Sequence, residues 1–336
     1  MLIKLFSISF GLKYSMKKNI VLATIAAAVL TVCASAPAYA AYPEDKDITV
    51  IIPKNPGGGT DITARGLITM MQKDLGNANF VPQNKPDGNG IVGMVDIANA
   101  KADGYTLGMV TVELDIFPHQ GKTKLTYDKF SSVIAPIAAP AALIVKADAP
   151  YNSLEEFVNY LKENPGKVMM GNSGVGAIWH IATLAFEKEF GVKVKHIPYP
   201  KGTADIAAAM AGGHIGGTLA DPSSFKSQVE AGNLKILAVM ADTRTKMFPD
   251  VPTFKELGHD MTVRAWATLV APKGTPDDVM QILRDSAKRV SSTPEYADYF
   301  LKQGIDPTSI IGADADKMME EDFAMYGEFM KQIMAK

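Results

Sequence analysis

Ile48-Thr49-Val50-Ile51-Ile52-Pro53-Lys54-Asn55-Pro56-Gly57-Gly58-Gly59-Thr60-Asp61 is the stretch on which the fold turns. Its first six residues are apolar except for Thr49, predicting a buried strand over 48–53. Three glycines then let the backbone turn and approach a guest closely. A helix is predicted from there to about Leu75, with Ala64, Leu67, Ile68, Met71 and Leu75 on one stripe and Gly76 as its stop. Unpaired N–H groups and a positive dipole end at the start of that helix favour an anion. The turn is no phosphate-cradling P-loop, since no Lys-Ser/Thr follows the glycines. A plain strand-to-helix connection is the alternative.

Working outward, the alternation continues with a strand at 79–81, a helix from about Ile91 and a strand at 106–110. A second unit begins near Pro140. It holds a capping box, Ser153-Leu154-Glu155-Glu156, a strand at 167–170, a glycine-rich turn at 172–176 and a helix at 177–190. A strand at 193–198, a helix from about Ala204 and a strand at 215–220 follow. The order from 167 to 220 repeats the order from 48 to 110. Two similarly built lobes are therefore expected, their glycine turns and helix starts facing one cleft. Near the end, Thr275-Pro276-Asp277-Asp278 predicts a helix with Thr275 as N-cap, and a last helix starts at about Asp314.

The 336 residues are 47% hydrophobic and 21% charged, which excludes disordered, collagen-like and coiled-coil classes and suits two cores. Arginine occurs only at 65, 244, 264, 284 and 289, so no arginine-rich face exists for nucleic acid. Residues 1–40 carry four lysines and no acid. Within them lie a basic start at Met16-Lys17-Lys18-Asn19, an apolar run at 20–32 and the small-x-small end Ala38-Tyr39-Ala40. This is the pattern of a cleaved export leader with Met16 as the true start. The apolar run spans about 20 Å as a helix, short of a bilayer core of about 30 Å. Cleavage after Ala40 leaves 30 basic and 36 acidic residues, a net charge of −6, and removes Cys33, the sole cysteine. Disulfides, cysteine-ligated zinc and thiol catalysis are then excluded.

Three further segments carry candidate chemistry. Asn172-Ser173-Gly174-Val175-Gly176-Ala177 offers a second glycine turn with a hydroxyl and a carboxamide, and His180 one turn later could donate to an anion or sit as a satisfied half-buried histidine. It is no nucleophile elbow, because Val175 stands where glycine is required. Gly88-Asn89-Gly90-Ile91-Val92-Gly93 spells a dinucleotide fingerprint, but Asn84-Lys85-Pro86-Asp87 separates it from the preceding strand. It reads instead as a loop and helix start beside the cleft. The histidines at 119, 180, 196, 214 and 259 lack metal-ligand spacing. Neither a cofactor nor a metal is expected, and no residue pattern calls for an enzyme.

Several short stretches share a joint order and spacing: Pro53 to Asp61, Asn84 to Gly90, Ala102-Asp103-Gly104-Tyr105-Thr106-Leu107, Asn164-Pro165-Gly166-Lys167, Gly174-Val175-Gly176 with His180, His196-Ile197-Pro198-Tyr199, Pro249-Asp250-Val251-Pro252-Thr253 and Ala271-Pro272-Lys273-Gly274-Thr275-Pro276. By these the chain resembles the periplasmic solute-binding proteins of tripartite tricarboxylate transporters, the Bug family. The resemblance implies an α/β, type II-like Venus-flytrap receptor, each lobe a mixed sheet flanked by helices, joined by two crossover strands. It sets lobe I at 41–140 plus 268–336 and lobe II at 141–267, after a leader at 1–40. It implies a small carboxylate ligand, a monomer in the periplasm, and delivery to the large and small membrane subunits of the transporter. The candidate ligand-binding positions are Gly58, Gly59, Thr60, Asp61, Asn172, Ser173, Gly176, Ala177, His180, Tyr199 and Asp221. Asp61 has two readings, a helix cap or a partner for an amino group. The sequence departs from the family pattern at Lys54, where an aromatic is usual, at Ala177, at Trp179, at the inserted Pro200 and at Gly216. An exported hydrolase and a receptor for an ATP-driven importer are the alternative functions.

Overall fold

The computed structural model describes residues 42–43, 46–76, 78–199 and 203–334, so the leader at 1–40 and Pro200 lie outside the described residues. From Lys46 onward the chain is organised by two sheets. In the first, β1 (Ile48–Ile52) is the middle strand of a parallel trio with β2 (Phe80–Asn84) and β3 (Thr106–Thr111). The chain returns through α1 (Gly59–Leu75), closed by Gly76, and α2 (Ile91–Asn99). Ile48, Val50 and Ile52 are fully buried, as a central parallel strand requires.

A short helix α3 (Glu113–Ile116) leads to β4 (Phe130–Pro140), which runs along the first sheet, and one residue later β5 (Ala142–Lys146) belongs to the second. Next, α4 (Leu154–Glu163) is capped as predicted: the Glu156 N–H donates to Ser153 Oγ at 3.1 Å. Then β6 (Met169–Asn172), α5 (Ile178–Phe190), β7 (Lys195–Pro198), α6 (Thr203–Ala211) and β8 (Gly217–Ala220) repeat the first trio, with β6 in the middle and all three parallel. The repeat of architecture read from the sequence is present in the topology.

After α7 (Lys226–Glu230) and β9 (Leu234–Val239) the chain returns to the first sheet as β10 (Arg264–Pro272), antiparallel to both β3 and β4. The two crossings touch: the Ala141 N–H donates to the Val263 carbonyl at 2.8 Å. This is the two-lobed mixed α/β fold with paired crossover strands. The chain closes with α8 (Asp277–Ser291), α9 (Pro294–Lys302), β11 (Pro307–Ile311) and α10 (Ala313–Met334). Among the described residues no helix is long and apolar enough to cross a membrane.

Three local expectations are corrected. The strand expected at 167–170 forms two residues later because Gly171 and Asn172, which look like turn residues, pair in register with Ile197 and Pro198. The strands expected to open at 193 and 215 begin at Lys195 and Gly217. Thr275 does not cap α8. Its hydroxyl donates to the Pro272 carbonyl at 2.9 Å, and Pro276 takes the cap position with no side-chain acceptor.

The crossing at Arg264 is held by α10. Arg264 makes a two-pronged ion pair with the buried Asp322, at 3.1 and 3.0 Å, and the Tyr326 hydroxyl donates to the Arg264 carbonyl at 2.9 Å. Asp115 is buried beside them, and among the described residues neither of its carboxyl oxygens has a hydrogen-bond partner. Burial, reinforced by the Asp322 charge, pushes its carboxyl well above the usual range against the pull of Arg264. A carboxyl raised on folding stabilises the protein fully below its unfolded pKa of about 3.9, and that contribution is lost as pH rises through the folded value. Asp115→Asn is therefore expected to raise Tm at pH 8 by about 2–5 °C, at roughly 2–4 °C per kcal/mol, and to leave Tm at pH 4 nearly unchanged. Calorimetry across that range checks it; equal shifts at both ends would contradict the assignment.

Candidate functional site

A cleft of about 340 Å³ opens between the two sheets. The first lobe contributes Lys54, Gly59 and Thr60 from the turn after β1, Thr111 at the end of β3 with Val112 and Glu113 after it, and Ile305 with Asp306 before β11. From the second come Ile178 and Trp179 at the start of α5, Thr203 at the start of α6, and Asp221 with Ser223 after β8. The crossing strands make the floor with Ile137, Ala139, Ala265, Trp266 and Ala267. The cleft thus lies where residues leave the carboxyl ends of parallel strands, the usual place for a ligand in such sheets.

Of the candidate positions, Gly59, Thr60 and Asp221 line the cleft. Gly58 is the N-cap of α1, extended at φ −81°, and gives the helix no side-chain cap. Asp61 is buried and accepts three hydrogen bonds: from the Gly57 N–H at 2.9 Å, from Arg65 Nε at 2.9 Å and from Asn84 Nδ2 at 2.8 Å. Burial raises its carboxyl, but these donors outweigh that and hold it below the usual range. Asp61 does not cap α1; its carboxylate braces the glycine turn through the Gly57 N–H.

The loop at 172–177 positions α5 rather than facing the cleft. Asn172 Oδ1 accepts from the Gly174 N–H at 3.0 Å, and its carbonyl accepts from the Tyr199 N–H at 2.7 Å. Ser173 Oγ accepts from the Trp179 N–H at 3.3 Å, capping the helix that begins after Ala177. His180 is buried; its Nδ1 accepts from the Gly176 N–H at 3.0 Å and its ring meets His196 edge-on at 4.9 Å. None of these five positions, nor Tyr199, is in the cleft lining, which Ile178 and Trp179 reach from the start of α5.

Residues not singled out by the sequence complete the lining, among them Glu113, Thr203, Ser223, Asp306 and, in the floor, Ile137, Ala139, Ala265 and Ala267. Glu113 had a readable signal, since it follows a parallel strand as Lys54 does. Lys54 Nζ donates to Glu113 Oε1 at 2.8 Å. Burial raises the Glu113 carboxyl, but Lys54 and the Thr111 hydroxyl overcome it and hold it below the usual range. Asp306 had no local signal, as it comes from a loop distant in sequence. Its Oδ2 accepts from the Lys246 and Met247 N–H groups of the other lobe at 2.8 and 3.4 Å. A second bond across the lobes runs from Gln120 Nε2 to the Gly176 carbonyl at 2.8 Å. Among the described residues no group of three or more histidine, cysteine or acidic side chains could hold a metal ion.

Comparison with known proteins agrees with this architecture. A family model described as "Tripartite tricarboxylate transporter family receptor" matches residues 63–334. The chain is 31% identical over 322 residues to a UPF0065 protein of Bordetella pertussis, covering 95% of this chain and 98% of the relative. A TctC solute-binding protein from Polaromonas, solved without ligand, superposes with a TM-score of 0.81 at 34% identity, covering 87% of this chain and 99% of its own. The structure titled "R. palustris Rpa4515 with adipate" superposes with a TM-score of 0.67 at 25% identity, covering 87% and 98%. By the extent of these matches, the chain belongs to the tripartite tricarboxylate transporter receptor family, whose members are periplasmic solute-binding receptors and not enzymes.

Proposed function

We propose that this receptor captures a small organic acid between its lobes and delivers it to the membrane subunits of a tripartite tricarboxylate transporter. The observation that carries the reading is the start of α1: Gly59 and Thr60 line the cleft, no side chain caps the helix, and Lys54 stands beside them. The first N–H groups of a helix lack intrahelical partners and favour a carboxylate, by roughly 0.3–2 kcal/mol from the dipole alone. Charge-assisted hydrogen bonds add about 1.5–3 kcal/mol each. A few such bonds, less the cost of immobilising the guest, reach the −8.2 kcal/mol or so of micromolar binding. A ligand touching α1 on one side and Trp179 on the other binds the closed arrangement better and shifts the population toward it. The adipate named in the related structure's title supports a carboxylate guest. The leader-like residues 1–40 support export with cleavage after Ala40.

The test is a thermal-shift panel on purified residues 41–336 with mono-, di- and tricarboxylates and with sugars. A true ligand at 100 times Kd stabilises by about 2.7 kcal/mol, a rise of several degrees at roughly 2–4 °C per kcal/mol. Thr60→Ala is expected to weaken that ligand about tenfold or more, with the Tm of the free protein within a few degrees of native. Stabilisation by sugars alone, or unaltered affinity in the variant, would move the anion site elsewhere.

A further inference from the structure

Among the described residues the charges around the cleft are unevenly compensated. At the α1 end the one lining lysine among the described residues, Lys54, is already paired with Glu113 at 2.8 Å. Two carboxylates also line the cleft, one from each lobe: Asp221 after β8 and Asp306 before β11. Neither has a side-chain ion pair among the described residues. Among the described residues Asp221 accepts from Ser223 alone, through its N–H at 3.0 Å and its hydroxyl at 2.6 Å. Asp306 accepts from two main-chain N–H groups, and the exposed Lys246 acts on it from outside the lining. The two carboxylates are near enough for Asp306 to act on Asp221 directly, and burial pushes both above the usual range.

A second carboxylate on the guest would meet like charge beside these two acids, which is how a site discriminates against a competitor. A cationic nitrogen would satisfy both acids at once and tie the lobes together. The tryptophans complete the setting: Trp179 and Trp266, the two in the chain, both line this cleft, and indole is the strongest aromatic partner for a cation.

We infer that the guest is a small zwitterion, with its carboxylate at Gly59 and Thr60 and its cationic nitrogen between Asp221 and Asp306. The inference rests on the carboxylate reading of the cleft and narrows it. It makes Asp221 and Asp306 specificity-determining residues, one from each lobe.

The experiment uses purified residues 41–336 and matched ligands of one chain length: adipate, hexanoate and 6-aminohexanoate, with shorter homologues and N-trimethylated forms as further arms. Calorimetric titration reads the affinities. The expected result is a zwitterion bound at least tenfold tighter than the dianion of equal length, with the trimethylated arm telling a primary from a quaternary ammonium. Asp221→Asn and Asp306→Asn keep the side-chain shape and are each expected to reduce the zwitterion preference about tenfold while dianion binding holds or improves. Tight dicarboxylate binding with zwitterions tenfold weaker would overturn this inference and leave the carboxylate reading intact. No binding by any carboxylate would overturn both. Should either variant fail to fold, the ligand series on the native chain decides alone.

Discussion

Arg264→Met is expected to lower stability by about 3–5 kcal/mol, the usual cost of removing one partner from a buried ion pair. At roughly 2–4 °C per kcal/mol, Tm falls by on the order of 10 °C. The cause lies in what stays behind. Asp322 is 2% exposed, Asp115 beside it is fully buried, and Arg264 is the cation that both depend on. Without it two carboxyls face each other where water cannot solvate them. The double variant Arg264→Met/Asp322→Leu is expected to recover most of the loss, since a well-packed apolar pair replaces a buried ion pair at little cost. Urea unfolding of the two variants decides the matter. A loss below about 1 kcal/mol in the single variant would mean that solvent reaches the pair and screens it.

Gly90→Ala is expected to cost about 3 kcal/mol and to weaken ligand binding about tenfold. Gly90 has φ +98°, and an added Cβ would stand 2.6 Å from the Pro53 carbonyl oxygen, closer than any relaxed contact. Left-handed backbone costs an alanine roughly 1–2 kcal/mol, and overpacking adds about 1–3 kcal/mol. Pro53 opens the turn that carries Lys54 and Thr60, so the relief of the clash displaces the anion end of the cleft. Gly57→Ala is the control: it too is left-handed, at φ +80°, but faces open space within 4 Å, and should cost only about 1 kcal/mol. Equal losses in the two variants would show that conformation alone, and not contact with Pro53, is at issue.

The Gly90 contact also explains the deceptive spelling of Gly88 to Gly93. Gly88, Asn89 and Gly90 all take positive φ in a tight turn, and Gly93 packs against the Lys85 and Pro53 backbone. These glycines serve the seating of α2 on the end of β1, which needs no nucleotide. A fingerprint written as spacing cannot separate the two uses; only the residues between strand and glycine could.

The parallel trios were legible because their signals are local. An apolar run, a glycine turn and a striped helix follow one another within about 30 residues, twice over. The helix bounds at Leu75 and Phe190 came out as read because Gly76 and Gly191 stop them. The pairing of β4 with β10 was not legible from periodicity, since Phe130 meets Pro272 across more than a hundred residues; the family resemblance implied two crossover strands but not that they pair. The same reason hid much of the site. Thr60 announces itself by its glycines, whereas Asp306 and Trp266 reach the cleft through long-range topology. Ser173 and His180 were legible as polar residues at a helix start, but sequence does not tell which way they turn, and both are engaged with the main chain around them.

One helix reaches both halves of the molecule. Near its middle α10 grips the crossing through Asp322, and toward its end Met330 lies against Gln120 while Lys188 of α5 sits over the Phe329 ring at 5.7 Å. A spectroscopic reporter attached near its start, at Lys317, would ride with one half, whereas one at Glu328 would sense the seam. Paired with a dye on an exposed site such as Lys162, the second position offers a direct optical readout of solute capture, and the first serves as its built-in reference.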